Sequence, residues 1–289
     1  MSKLHWVVED FLADGTVNDL VNEILTQGMT CDVVRYIPFE TNQNVFSRYP
    51  GEACVLFIGS VNMTLKVQHH TQWIPGGFSN FKALECTSYY AHLGKHLLNS
   101  DYVIVPFGDL MARPMHFFDR FPWDDDPDCG TDHIFIRPNG NSKAFNACVV
   151  ARDNFKKDMS WAIDAMKPED LVVVASPKNI QQECRFVVTK NEVITGSTYR
   201  LNKKHHESPE YPQEAYDLAL EIASGEFQPD LIWVVDIAIS GDQCYLLEIG
   251  GFSCAGMYRG DLKKIVKRAS ELAIKEYQDY QEFSEVSMD

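Results

Sequence analysis

Asp236 and Glu248 each stand as the one acid in an apolar run, Trp233-Val-Val-Asp236-Ile-Ala-Ile and Tyr245-Leu-Leu-Glu248-Ile. A carboxylate buried in such company is costly unless something cationic meets it. Both runs are rich in β-branched or aromatic residues, and Ser240-Gly241-Asp242 between them supplies turn chemistry, so they read as the two strands of a hairpin. Acids brought together on adjacent strands repel each other, and a bound divalent cation resolves that. Mg²⁺ typically takes one or two carboxylates together with the phosphate oxygens of a substrate. The plainer alternative is two acids at opposite strand ends, each solvated or paired with Lys or Arg. Spacing alone leaves both readings open.

Cations stand on neighbouring strands. Arg137 lies in Phe135-Ile-Arg-Pro138, Lys143 follows a Gly-containing turn, and Lys178 follows the Val172–Ala175 strand. Glu183 and Arg185 alternate on one face of the next strand, so that three separate apolar strands end in charge. A triphosphate with Mg²⁺ needs this combination, Lys and Arg for the phosphates and carboxylates for the metal. The Val172–Ala175 strand offers backbone groups and apolar side chains to a purine. Asp124-Asp125-Asp126 with Asp128 form an acidic cluster that reads as a solvated loop, because a charge run usually is one.

Other signatures fail on their own chemistry. Gly94-Lys95 has no upstream glycine at P-loop spacing and no Ser or Thr after the lysine. No G-x-G-x-x-G follows the first strand, which removes the dinucleotide fingerprint. Gly251-Phe-Ser253-Cys-Ala255 nearly matches a nucleophile elbow, but that architecture needs a histidine after the serine, and the last histidine is His206.

Composition sets the class. At 289 residues, 45% hydrophobic and 12% aromatic, the chain has ample material for a core. A net charge of −15 opposes coating nucleic acid or an anionic membrane. No apolar run approaches bilayer length, and the first residues enter a strand pattern at once, which predicts no secretory signal. Eight scattered cysteines without C-x-x-C predict buried thiols in a reducing cytosol.

The elements that must hold the charged residues fall into two groups. Leu4–Val8 (strand), Val17–Leu25 (helix, closed by Gly28) and Cys31–Ile37 (strand) form a parallel α/β opening. Strand Ala53–Ile58, a helix over 62–70, a loop over 73–77, a helical region over 81–98 and strand Tyr102–Val105 complete an open-sheet domain over residues 1–112. Residues 113–289 read as α+β, with an irregular Pro-punctuated passage first. Then come strands 133–138 and 171–175, a helix over 154–166, and a hairpin of 183–189 with 193–199 around Lys190-Asn191. A polar loop over 203–212, a helix over 212–223, the Asp236/Glu248 hairpin and an amphipathic helix over 260–277 close the chain.

The ordered set resembles the ATP-grasp superfamily, in particular its small phage- and bacteria-associated clade. The similarity rests on Phe135-Ile-Arg-Pro138 before Lys143-Ala-Phe145, then Glu183-Cys-Arg-Phe186 and Gly196-Ser-Thr-Tyr-Arg200. It closes with the Asp236 strand paired with Leu247-Glu-Ile249, followed by Phe252-Ser-Cys-Ala-Gly-Met-Tyr258. It covers residues 130–260 well and the N-terminal unit only in outline.

The resemblance implies an N-terminal parallel-sheet, pre-ATP-grasp-like domain followed by a two-lobed ATP-grasp domain that grips ATP. Arg137, Lys143 and Lys178 would then contact phosphate or nucleotide, and residues 172–176, with Val173, Val174 and Ala175, would form the adenine hinge. Glu183 and Arg185 would face the junction of nucleotide and substrate, Arg200, Ser253 and Tyr258 would touch substrate, and Asp236 and Glu248 would hold Mg²⁺. Arg185, Lys143 and Arg200 are the catalytic candidates. The implied reaction activates a small-molecule or peptide carboxylate as an acyl phosphate, which an amine or another nucleophile then attacks, in the cytoplasm (of a host, if phage-encoded). A phosphotransferase of the same fold and a catalytically weakened nucleotide-binding module are the alternatives, and the closing helix would serve a homodimer as readily as a core. One position departs from the family. The asparagine usual two residues after the metal-binding glutamate is Gly250 here, which cannot ligate a second metal ion through a side chain.

Overall fold

The computed structural model describes residues 3–10, 16–35, 46, 48–49, 51–121, 132–141 and 144–286. The chain opens on a parallel sheet of β1 (His5–Glu9), β2 (Thr30–Val34), β3 (Cys54–Ile58) and β4 (Ile74–Gly76), ordered β2-β1-β3-β4. β1 and β3 are apolar on both faces because both faces are covered. Trp6, Val8, Leu56 and Ile58 pack towards α1 (Thr16–Thr26), while Val7, Val55 and Phe57 pack against Met63 and Val67 of α2 (Val61–His70). Gly28 ends α1 at φ +80°, donating its N–H to the Leu25 carbonyl at 2.9 Å. The 73–77 stretch, expected to be a loop, lays Ile74–Gly76 along β3 as a short edge strand.

α3 (Cys86–Leu93) follows, and then the chain leaves this sheet. β5 (Val103–Pro106) pairs antiparallel with β8 (Leu171–Ala175), in a second sheet ordered β5-β8-β6-β7 with β6 (His133–Pro138) and β7 (Cys148–Ala151). The sequence places strand 102–105 with the N-terminal unit, yet its partners lie in the second half of the chain. Non-local antiparallel pairing leaves no local signal, which is why the strand misleads. The passage expected to be irregular contains α4 (Phe107–Ala112) and α5 (Pro114–Arg120), with Pro114 in the first turn where its missing N–H is harmless. Together with α6 (Phe155–Asp158) and α7 (Ser160–Ile163), two short pieces where the periodicity predicts one helix, they cover one face of this sheet through Phe107, Leu110, Phe117, Phe118 and Phe155. The acidic cluster at 124–128 lies outside the described residues.

The third sheet is antiparallel and five-stranded, ordered β11-β10-β9-β12-β13. It comprises β9 (Gln182–Thr189), β10 (Glu192–Leu201), β11 (Lys204–Ser208), β12 (Ile232–Ser240) and β13 (Gln243–Gly251), with α8 (Gln213–Ala223) on one face. α9 (Leu262–Val286) returns to the first sheet, where Ile265, Val266 and Ala269 share a core with Trp6, Leu56, Ile232 and Val234, and Trp6 Nε1 donates to Ser270 Oγ at 3.1 Å. That shared core locks the N-terminal sheet against the end of the sheet that carries Asp236. No helix of the described residues is long and apolar enough to cross a membrane.

Candidate active site

Strand alternation builds the site. On β9, Cys184, Phe186 and Val188 point into the core under α8, which sends Glu183, Arg185 and Val187 to the opposite face. On β12, Trp233, Val235 and Ile237 enter that same core and Asp236 takes the other side. β13 does not alternate cleanly. Ile237 pairs with Leu246 and Asp236 with Glu248, so Leu247 is an extra residue and forms a β-bulge. Without it Leu246 and Glu248, two apart, would share a face. The bulge sends Leu246 into the core and aims Glu248 at Asp236. Ser197, Arg185, Asp236 and Glu248 thus stand as direct cross-strand partners over β10, β9, β12 and β13.

The two acids differ in their surroundings. Asp236 is 1% exposed and accepts two hydrogen bonds from Arg185, Nε to Oδ1 and Nη2 to Oδ2, both at 2.7 Å. Tyr199 donates its hydroxyl to Asp236 Oδ2 at 3.4 Å. Burial pushes the Asp236 carboxyl up, Arg185 pulls it back, and the net displacement is upward. Arg185 is held in turn. Its guanidinium carbon lies 5.6 Å from the Tyr199 ring and 5.1 Å from the Tyr258 ring, and those rings stack 4.8 Å apart. Tyr258 sits at φ +46°, a strained value for a bulky residue that the stacked ring and Arg185 hold in place.

Glu248 faces the other lobe. Its side chain is 38% exposed and meets Arg137 Nη2 at 3.1 Å. Arg137 comes from the end of β6, cross-strand from Val173 and followed by Pro138, and is 7% exposed. Its Nε is buried without a hydrogen-bond partner, so a charged donor points where the protein offers no acceptor. Two cavities meet at Glu248. One of about 30 Å³ is lined by Arg185, Asp236, Glu248, Gly250 and Asn141, and one of about 180 Å³ by Arg137, Asn141, Phe145 and Glu248. The first has room for one ion or water, and the second has room for a phosphate group. Paired carboxylates beside an unsatisfied buried guanidinium are a donor set that fits Mg²⁺ with a phosphorylated ligand. No cluster of three or more His, Cys, Asp or Glu suited to a metal occurs among the described residues.

The remaining candidates separate. Glu183 is buried beside Arg200, whose Nη1 lies 2.9 Å from its Oε1 on the cross-strand partner position, one bulge along from the row. Lys178 is bound up with Asp101 at 3.3 Å and with Ser176, and it lines neither cavity. Lys143 lies outside the described residues. Val173 and Val174 are fully buried and paired to β5 on one side and β6 on the other, so their backbone groups are taken. The backbone that leaves the sheet is 176–181, and any polar contact with a base falls there rather than on the strand. Ser253, expected to touch substrate, is fully buried, and its Oγ accepts the Phe78 N–H at 2.9 Å, tying the end of β13 to the N-terminal unit. Sequence reasoning does not find Asn141 or the Tyr199–Tyr258 stack. Tyr199 and Tyr258 stand in the quoted motifs, but only the fold brings their rings together.

The fold so assembled is shared with solved structures. D-cycloserine synthetase DcsG superposes with a TM-score of 0.62 at 14% identity, covering 93% of this chain and 99% of that one. D-alanine–D-alanine ligase from Bacillus anthracis gives 0.56 at 11%, covering 98% and 100%, and the ATP-grasp ligase PsnB, complexed with a minimal precursor, gives 0.55 at 11%, covering 96% and 100%. No curated protein matches the sequence. The architecture is that of the ATP-grasp proteins. Residues 126–267 match a family described as an ATP-grasp domain, the second family of its clade, and the chain belongs to the ATP-grasp superfamily.

Proposed function

We propose that this protein is an ATP- and Mg²⁺-dependent ligase that joins a carboxylate substrate to an amine or another nucleophile. The observation that carries this reading is the row Arg185–Asp236–Glu248 on adjacent strands, faced from the other lobe by the buried, incompletely paired Arg137. Mg²⁺, when held by Glu248 and the remaining lone pairs of Asp236, supplies neutralisation of phosphate charge. Arg137 offers its unpartnered Nε–H to a phosphate. A carboxylate oxygen of the substrate attacks the γ-phosphorus, forming an acyl phosphate as the bond to ADP breaks. The nucleophile then displaces phosphate at the acyl carbon, losing a proton. Arg185, fixed by Asp236 and two tyrosines, holds a positive charge where the acyl oxygen gains negative charge, and it needs no reorganisation to do so. No protein nucleophile is required, since positioning and charge neutralisation carry the chemistry.

The cavities at Glu248 are smaller than the roughly 300 Å³ or more of a nucleotide-sized pocket, so in this reading the β6–β7 turn lifts to admit ATP. A cavity of about 830 Å³ on the far side of Tyr258, lined by Asp19, His205, His206, Glu207 and Arg259, has the volume for a small-molecule or peptide substrate. Gly250 favours a second reading, a module that binds nucleotide but ligates weakly. Incubation with ATP, Mg²⁺ and pooled amino acids and short peptides separates the two. ADP release that depends on a carboxylate, with a condensed product by mass, is the result expected of a ligase. Nucleotide binding without turnover supports the module, and no thermal shift with ATP and Mg²⁺ sinks both.

A further inference from the structure

The place left empty by Gly250 is met from the opposite lobe. A Cβ added at Gly250 would stand 3.7 Å from Asn141 Nδ2 and 3.0 Å from Val234 Cγ2. Asn141 donates Nδ2 to the carbonyl of Ile249 at 3.1 Å, on the residue between Glu248 and Gly250. It also lines both cavities, one with Asp236 and Glu248 and the other with Arg137 and Glu248. A side-chain amide has a donor end and an acceptor end. With the donor end on Ile249, the acceptor Oδ1 is what Asn141 has to offer the cavity. Amide oxygens are ordinary ligands of hard cations.

The turn that carries Asn141 is anchored. Asn139, two residues earlier, is buried, its Oδ1 accepts the Thr87 N–H at 2.9 Å, and its carbonyl accepts the Cys86 N–H at 2.9 Å. The start of the turn is thereby fixed to the first turn of α3. We propose that Asn141 supplies the neutral oxygen ligand that position 250 lacks, so that the metal site is completed from the β6–β7 turn and not from β13. This rests on reading Asp236 and Glu248 as metal ligands. It also accounts for the glycine, because a side chain at 250 would crowd Val234 and occupy the space beside the Asn141 amide.

The test uses Mn²⁺ as a spectroscopic substitute for Mg²⁺. Protein-bound Mn²⁺ is counted by electron paramagnetic resonance in the presence of a non-hydrolysable ATP analogue, corrected for Mn²⁺ held by free analogue. Outer-shell partners alone are worth about 10–100-fold in metal affinity, so Asn141→Ala is expected to weaken Mn²⁺ binding at least about tenfold. Asn141→Asp separates a ligand from a latch. It loses the donor to Ile249 but keeps an oxygen, and it is expected to bind Mn²⁺ at least as tightly as wild type. Asn141→Ala matching wild type, or Asn141→Asp as weak as Asn141→Ala, overturns the proposal and leaves the Asp236–Glu248 site standing. Wild type binding no Mn²⁺ overturns both.

Discussion

Replacing Asp236 by asparagine distinguishes the two carboxylates of the site by stability alone. Asp236 is 1% exposed and bound to Arg185 through two hydrogen bonds of 2.7 Å, with the Arg185 side chain itself only 15% exposed. The amide keeps one acceptor, turns the other into an NH₂ facing a guanidinium N–H, and leaves a buried positive charge without a counter-charge. Removing one partner of such a pair costs about 3–5 kcal/mol. Glu248 has a side chain 38% exposed and a single 3.1 Å contact with Arg137, and glutamine preserves an acceptor there. An ion pair that open to solvent is worth about 1 kcal/mol or less. Asp236→Asn should therefore be less stable than Glu248→Gln by about 3 kcal/mol. Urea unfolding followed by tryptophan fluorescence measures this, since Trp6 and Trp233 are both fully buried. A difference under about 1 kcal/mol would refute the buried-pair account of Arg185 and Asp236.

Arg137→Met removes charge-assisted bonds to phosphate, each worth about 1.5–3 kcal/mol, and calorimetric titration should show an ATP analogue binding about 10–100-fold more weakly. Asp230, in a cavity with Glu276, has its carboxyl pushed up by burial from 3.8 to about 7. A raised carboxyl favours the fold's protonated form, so its contribution to stability falls as pH rises from about 4 to 7. Holding it ionised costs up to about 4 kcal/mol, reduced to about 2 by its partial access to solvent. Asp230→Asn should accordingly stabilise the protein at about pH 8 and have little effect near pH 4, and equal effects at both would contradict this. A Cβ at Gly196 would stand 2.4 Å from two ring atoms of the fully buried Phe186, so Gly196→Ala should cost about 1–3 kcal/mol in the same unfolding assay.

The sequence shows the site's charged members because a charge in an apolar strand is a strong local signal, and Arg185, Asp236 and Glu248 all carry it. Their being neighbours depends on register, and for Glu248 on a bulge at Leu247 that no spacing reveals. β11 reads as loop because Lys204-His-His-Glu-Ser is an exposed edge strand with no apolar alternation. β5 reads with the N-terminal unit because a four-residue apolar strand says nothing about its partner. Asn141 leaves no trace because a polar residue in an Asn-Gly-Asn turn reads as turn chemistry, and only the approach of β13 gives it another meaning.

The claim that the Asp236–Glu248 row and Arg137 form a metal–nucleotide site is tested most directly by titrating a non-hydrolysable ATP analogue into wild type and Glu248→Gln, with and without Mg²⁺. Mg²⁺ should tighten binding to wild type by at least about tenfold, or about 1.4 kcal/mol, and should have almost no effect on Glu248→Gln. Equal affinity for the analogue with and without Mg²⁺ in wild type, or an undiminished Mg²⁺ effect in Glu248→Gln, would contradict it.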